Sequence, residues 1–246
     1  MGRTEKEMVQ ETYKPILKVI TGSRAYGFSR PDSDTDIRGI AMPSREIFFG
    51  LQNFEMHEQK EPDETIYSLN KFVNFAINGN PNILELLFID NPDLVQLETS
   101  EAMFLRSYKE AFITKRIFTT YVGYAKAQLH KIKADGNCAP EMKSRRAEDI
   151  AKNGFDTKAA THLVRLMFQA RELTLDKNIS FPMRPNELFI CKSIRNGKHS
   201  FDEVKEIFEW ALDELRIIEA SSALPEKPDF ARINDIVIEM NTRWYK

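Results

Sequence analysis

Three aspartates, Asp32, Asp34 and Asp36, occupy alternate positions directly before an apolar segment with the composition of a buried strand. Alternate residues of a strand share one face, so a strand here would put Asp34 and Asp36 side by side and Ile37 on the opposite face. Neighbouring carboxylates repel each other unless a cation neutralises them. Carboxylate oxygens suit Mg²⁺ or Mn²⁺, which keep open positions for phosphate ligands. The spacing therefore predicts a magnesium site that accepts a nucleotide.

A calcium loop or an exposed turn could also contain these aspartates. Their spacing matches positions 1, 3 and 5 of an EF-hand calcium loop, but Ile37 stands where that loop requires glycine and Pro43 where it requires glutamate. Calcium is therefore disfavoured. Aspartates are also common turn and helix-cap residues in exposed loops, and a purely structural role stays open on the three residues alone.

A second short motif precedes the aspartates. Gly22 and Ser23 follow an apolar segment, "PILKVIT", that is predicted to be a strand, and they are expected to open a loop. Glycine lets a phosphate group approach the backbone closely, and a serine hydroxyl can bind it. The chain contains no GxxxxGK[ST] motif, so a P-loop fold is disfavoured.

The charges are distributed unevenly along the chain. Residues 1–104 carry 10 Lys and Arg against 17 Asp and Glu, whereas residues 105–200 carry 19 against 9. An acidic first part and a basic middle part favour metal-binding carboxylates that face a phosphate-attracting surface. Solvated helix faces of varying charge would give the same counts.

The pattern of elements predicts an α+β protein with a small sheet and a helical region. Strands are expected in "PILKVITGS", "DTDIRGIAM" and "ETIYSL", and a short amphipathic helix over residues 5–14. From about residue 98 the apolar spacing becomes helical throughout. We therefore predict an α/β core over 1–97 and a helical domain over 98–246. The absence of 18 consecutive apolar residues and of a secretory signal predicts a cytoplasmic protein with no membrane partner.

The chain resembles the polymerase-β nucleotidyltransferase superfamily. The resemblance is carried by "GSRAYGFSRPDSDTDIRGI", "YSLNKF" and "GNPNILELLF", with "KAATHLVRL" and "SIRNGKHSFDEV" in the helical half. These strings are similar to predicted nucleotidyltransferases of bacteria and phages, some of whose relatives are associated with RNA ligases. The resemblance implies a small mixed sheet, a following helical region, and two Mg²⁺ or Mn²⁺ ions bound by the aspartate pair and a third acidic residue.

The resemblance assigns Asp34 and Asp36 as the pair and places the third acid in "KEPDETIYSL". Glu61, Asp63 and Glu64 are available there. If Ile66 faces the core, alternation puts Asp63 toward the site, so we predict Asp63 as the third metal ligand and keep Glu64 as the alternative.

Basic residues are expected to meet the triphosphate beside Gly22 and Ser23. Arg24 follows this pair directly. Lys158, His162 and Arg165 lie at helical spacing and would form one stripe, and Lys126 is a further candidate. A solvated basic face or a packed histidine would produce the same pattern.

The implied reaction is the transfer of a nucleoside monophosphate from an NTP such as ATP to an acceptor, with release of pyrophosphate. RNA, tRNA ends or another nucleic acid are the expected acceptors. Transfer to a protein or small molecule, and a nucleotide-binding sensor without catalysis, remain as alternatives. The sequence leaves the base preference and the oligomeric state open.

Overall fold

A computed structural model describes residues 12–31, 33–133 and 144–246. They form two compact units. The first contains the described residues up to Phe112 together with Pro228–Lys246, and the second is Ile113–Lys227. The domain boundary predicted between residues 97 and 98 stays a prediction. The predicted α+β class is confirmed, because a five-stranded mixed sheet is accompanied by helices.

The sheet lies in the first unit, and its strands run in the spatial order β3-β4-β2-β1-β5. The β2 and β4 strands are parallel, and the three other neighbouring pairs are antiparallel. Leu17, Ile40 and Ile66 are fully buried. The five strands are β1 (Tyr13–Thr21), β2 (Asp36–Pro43), β3 (Met56–Lys60), β4 (Asp63–Ser68) and β5 (Val95–Glu98).

The helices of the first unit are mostly short and capped by side chains. Ser68 accepts a hydrogen bond from Lys71 N, and Asn80 accepts one from Asn82 N at the start of the next helix, where Pro81 is the first residue. The helices are α1 (Gly22–Tyr26), α2 (Arg45–Phe49), α3 (Leu69–Ala76), α4 (Pro81–Leu84), α5 (Ser100–Ser107) and α11 (Phe230–Trp244), with 3₁₀ turns at Glu85–Leu87 and Lys109–Phe112.

The second unit is built around one central helix. Asp156 caps this helix, and 14 of its 20 residues are buried because four other helices pack on it. A capping box formed by Ser200 and Glu203 stands at the start of another helix. The helices are α6 (Arg116–Lys133), α7 (Ser144–Asn153), α8 (Thr157–Asp176), α9 (Pro185–Arg195) and α10 (Phe201–Ser221), and α8 is the central one.

Several sequence predictions need correction. Gly22 and Ser23 begin the short helix α1 instead of an open loop, and β2 begins only at Asp36, so Asp34 precedes the strand. The strands β3 and β5 were not predicted. Met56 is the single apolar residue of β3, and β5 has four residues, too short for its alternation of Val95 and Leu97 with polar residues to stand out. A helix was predicted over residues 5–14. Residues 5–11 lie outside the described part of the chain, and the strand β1 already begins at Tyr13.

None of the helices in the described part of the chain is long and apolar enough to cross a membrane.

Candidate functional site

The end of β1 and the start of β2 bring Gly22 against Asp36. Thr21 pairs with Asp36 in the sheet, and its hydroxyl donates to the Asp36 carbonyl oxygen at 3.3 Å. Gly22 follows with φ of +68°, and a Cβ atom there would lie 2.1 Å from Asp36 Oδ2. Only glycine combines this backbone angle with this close approach. The turn at Gly22 therefore holds its backbone directly beside a carboxylate.

The parallel pairing of β2 and β4 puts Asp63 level with Asp36. Residues in register on neighbouring strands lie about 5 Å apart and point to the same face. Asp36 is half-buried and Asp63 is exposed. Two carboxylates from different strands therefore face solvent together, and carboxylate oxygens are the donor set that Mg²⁺ prefers.

Glu64, the alternative third acid, is engaged on the other face of the sheet. Its carboxylate pairs with Lys18 Nζ at 2.5 Å. Glu61 is exposed in the turn before β4. Of the three acids considered, Asp63 is the one in register with Asp36.

Asp34 is exposed in the segment that leads into β2. Arg24 holds this segment by its backbone, because Nη2 donates to the Ser33 carbonyl at 2.8 Å and Nε to the Asp34 carbonyl at 3.4 Å. Arg24 thus shapes the loop that carries Asp34. Asp32 lies outside the described residues.

Within residues 12–31, 33–133 and 144–246, no three His, Cys, Asp or Glu side chains are arranged so that they could hold a metal ion together. The residues fit a divalent cation in part. Asp36 and Asp63 supply two carboxylates in register on neighbouring strands. The backbone at Gly22 lies so close to Asp36 that no side chain fits between them. Asp34 does not form a single group of three ligands with these two residues.

Ser23 offers a hydroxyl with no hydrogen-bond partner among the described residues. Its carbonyl accepts from Gly27 N and Phe28 N, which closes the short helix α1. The helix is anchored from within the unit, since Tyr26 donates its hydroxyl to Glu85 Oε2 at 2.6 Å and Glu85 is only 1% exposed. Sequence reasoning missed this pair. A glutamate inside the apolar string "NILELLF" was the signal that could have indicated it.

Arg38 was also missed. It lies two residues after Asp36 on the same face of β2 and is half-buried, and its Nη1 donates to the Asn82 carbonyl at 3.4 Å. A cation on this face offsets part of the negative charge of Asp36 and Asp63.

The remaining predicted binding residues belong to the second unit. Lys126 on α6 and Lys158 on α8 are exposed, and His162 is half-buried. Arg165 is fully buried and bonds Gln169 Oε1 at 2.5 Å and His162 Nδ1 at 2.9 Å. The expected basic stripe is therefore a solvated lysine followed by a packed polar network.

Comparison with curated proteins gives two partial matches. The chain is 28% identical over 138 residues to an uncharacterized 38.9 kDa protein of Enterobacteria phage T4, covering 50% of this chain and 40% of that protein. It is 30% identical over 134 residues to the uncharacterized protein YcgL of Bacillus subtilis, covering 51% of this chain and 50% of that protein. The matches thus span half or less of the length of either relative.

A solved structure, a nucleotidyltransferase-like protein from Exiguobacterium sibiricum, aligns over 88% of this chain and 71% of its own at 8% identity. The TM-score of 0.28 is too low to support a conclusion about the fold.

The family comparison covers far more of the chain. The model of the RNA repair pathway DNA polymerase beta family matches residues 3–239. This match confirms the resemblance drawn from the Gly-Ser and Asp-x-Asp motifs. The chain, with its glycine turn packed on Asp36, therefore belongs to the RNA repair pathway DNA polymerase beta family.

Proposed function

We propose that the protein is a metal-dependent nucleotidyltransferase that moves a nucleoside monophosphate from an NTP to an RNA acceptor and releases pyrophosphate. The observation that carries this proposal is the pairing of Asp36 with Asp63 across β2 and β4, beside the close turn at Gly22. The family to which the chain belongs supports RNA as the class of acceptor.

In this proposal, Asp36 and Asp63 would hold two Mg²⁺ or Mn²⁺ ions, and Asp34 would join them from the loop that precedes β2. The bound ions would neutralise the charge of the triphosphate and would lower the pKa of the attacking hydroxyl. The backbone at Gly22 and the hydroxyl of Ser23 bind phosphate oxygens.

The other residues have supporting roles. Arg24 keeps the segment that carries Asp34 in place through its bonds to the Ser33 and Asp34 carbonyls. Asp63 is exposed and accepts the proton of the attacking hydroxyl. That Lys126, Lys158 and His162 bind the nucleotide stays a prediction.

The test is a comparison of Asp36→Asn and Asp63→Asn with the matched variant Glu64→Gln. Each protein is incubated with α-labelled ATP, GTP, CTP or UTP and Mg²⁺, with and without RNA. Pyrophosphate release and labelled RNA are then measured. We expect release to require the divalent ion and to fall by about 10³-fold or more in the two aspartate variants, since each removes charge that neutralises the transition state.

The Glu64→Gln variant should keep its rate within about threefold, because its carboxylate lies on the other face of the sheet with Lys18. Equal loss in all three variants would refute the assignment of Asp63. Label appearing only in protein or in a small product would refute RNA as acceptor, and tight NTP binding without transfer would indicate a sensor.

A further inference from the structure

The helical unit contains a cavity of about 550 Å³ between α8, α9 and α10. This volume lies within the range of about 300–1,000 Å³ that is usual for small-molecule sites. None of the predicted nucleotide-binding residues lines it. Its side chains include two aromatic rings, two guanidinium groups and two carboxyl groups: Phe168, Trp210, Arg171, Arg184, Glu187 and Glu214.

Both arginines in the cavity are held in fixed orientations by carboxylates. Arg171 bonds Glu214 Oε1 through Nε at 2.9 Å and Glu187 Oε1 through Nη1 at 3.4 Å. Arg184 bonds Glu172 Oε1 through Nε at 3.1 Å and Asp176 Oδ2 through Nη2 at 2.8 Å. Such pairs orient a guanidinium group before a ligand arrives.

Each arginine keeps one terminal nitrogen for a ligand. Arg171 Nη2 and Arg184 Nη1 have no hydrogen-bond partner in the described part of the chain. Guanidinium groups bind phosphate oxygens more specifically than a lysine ammonium group does, because their donors lie in one plane. Two oriented arginines in one cavity therefore offer hydrogen-bond donors to a phosphate.

Two aromatic side chains line the cavity, and Trp210 supplies nearly all of their exposed apolar surface. Phe168 on α8 is 3% exposed, whereas Trp210 on α10 is 56% exposed. Tryptophan and phenylalanine rings stack on nucleobases of any sequence, because every base has a π-face. A base stacked on Trp210 would cover apolar surface that now contacts water.

The carboxyl groups are compatible with an anionic ligand. Burial, and then the charge of Glu172, raises the pKa of Glu187 to about 7, against the opposing charges of Arg171 and Arg184. Near neutral pH Glu187 is therefore partly protonated, which weakens its repulsion of a phosphate and lets it donate to a base. Glu214 is paired with Arg171, and Glu172 and Asp176 are paired with Arg184, so a bound phosphate would share each guanidinium group with a carboxylate.

We propose that this cavity binds one nucleotide, with its base against Trp210 and its phosphate on Arg171 and Arg184. A free mononucleotide and the terminal nucleotide of an RNA strand share this chemistry. Binding here requires neither a metal ion nor Asp34, Asp36 and Asp63, so the site does not depend on the proposed transfer reaction.

Fluorescence of Trp210 provides a direct test. The chain has two tryptophans, Trp210 and Trp244, so Trp244→Phe leaves Trp210 as the single reporter. This variant is titrated in EDTA with AMP, GMP, CMP and UMP, and separately with short RNAs carrying a terminal phosphate. We expect saturable quenching. Quenching by mononucleotides identifies the free nucleotide as ligand, and quenching by RNA alone identifies the strand end.

Four further variants in the same background test the contacts and supply the controls. Arg171→Ala should weaken binding about tenfold or more, and Arg171→Lys should restore part of it. Arg216→Ala is the matched control, because Arg216 lies on α10 but does not line the cavity. Asp36→Asn should bind as the parent does. Circular dichroism verifies that each variant is folded.

The proposal is overturned if no mononucleotide or RNA quenches Trp210 saturably up to about millimolar concentration, or if Arg171→Ala and Arg216→Ala bind equally. Loss of binding in Asp36→Asn would also overturn it, because the nucleotide would then occupy the other site. Should Arg171→Ala fail to fold, calorimetry on Trp210→Ala decides: Trp210 is 56% exposed, and unchanged affinity would refute its stacking role.

Discussion

The geometry at Gly22 shows how one residue without a side chain can determine a site. Its φ of +68° and the 2.1 Å separation between a Cβ built there and Asp36 Oδ2 leave no room for alanine. An L-residue with positive φ is strained, and the added methyl group must displace the Asp36 carboxylate. The turn and the carboxylate are therefore coupled.

Gly22→Ala should lower the free energy of unfolding by about 1–3 kcal/mol and also reduce pyrophosphate release, since strain and displacement act together. Gly123→Ala is the control. A Cβ at Gly123 meets nothing within 4 Å, and Gly123 lies inside α6, so alanine there should stabilise the protein by about 0.5–1 kcal/mol. Denaturant unfolding measures both. A Gly22 variant as stable as the Gly123 variant would contradict the coupling of turn and carboxylate.

The face of the sheet on which Asp63 lies could be predicted from the local sequence. Alternation along "ETIYSL" with Ile66 inward gives the correct face, and Ile66 is fully buried. The register that sets Asp63 beside Asp36 could not be predicted, because the pairing of two residues 27 positions apart depends on the whole sheet. The role of Asp63 as a metal ligand stays a prediction.

At the scale of elements, helix α8 combines a buried surface with several buried polar side chains. Arg165, Gln169 and Glu172 are each no more than 3% exposed. Their apolar neighbours predicted the helix correctly, but periodicity cannot tell a solvated arginine from one enclosed by α6, α9 and α10. The interpretation of Arg165 as part of an exposed stripe was wrong for this reason.

Glu187 at the start of α9 should make stability depend on pH. Burial and the charge of Glu172 raise its pKa from 4.5 to about 7, while Arg171 and Arg184 oppose the shift. The folded state then binds more protons than the unfolded state between these values, so its contribution to stability falls as pH rises through that window. At about 1.36 kcal/mol per pH unit the loss is at most about 3 kcal/mol.

Glu187→Gln removes this titrating group, so the variant shows the pH dependence of the rest of the protein and is the reference for the parent. Denaturant unfolding of both proteins at pH 5 and pH 8 should show the parent losing about 1–3 kcal/mol more than the variant on going to pH 8. A parallel pH dependence of the two proteins would show that Glu187 has an ordinary pKa.

At the scale of the whole molecule, the two units differ in how the chain builds them. The second is continuous, whereas the first needs α11 from the far end of the chain. Tyr245 joins this helix to the β2 region. Its hydroxyl donates to the Pro43 carbonyl at 2.7 Å, its carbonyl accepts from Arg45 at 2.9 Å, and its ring stacks on Phe48.

A fragment of residues 113–227 should therefore unfold cooperatively on heating, while a fragment of residues 1–112 should not, because it lacks the α11 contacts. Adding a peptide of residues 228–246 should restore a cooperative transition to the fragment of residues 1–112. Circular dichroism at increasing temperature measures each case. Cooperative unfolding of residues 1–112 without the peptide would show that α11 is dispensable.

This chain order has a consequence for synthesis. Residues 113–227 leave the ribosome before residues 228–246. The helical unit can therefore fold before α11 is available to pack in the unit that carries Asp36 and Asp63. A polypeptide that terminates before residue 228 would contain a complete helical unit joined to an incomplete first unit. Translation through α11 is thus a precondition for assembling the acidic pair on a stable support.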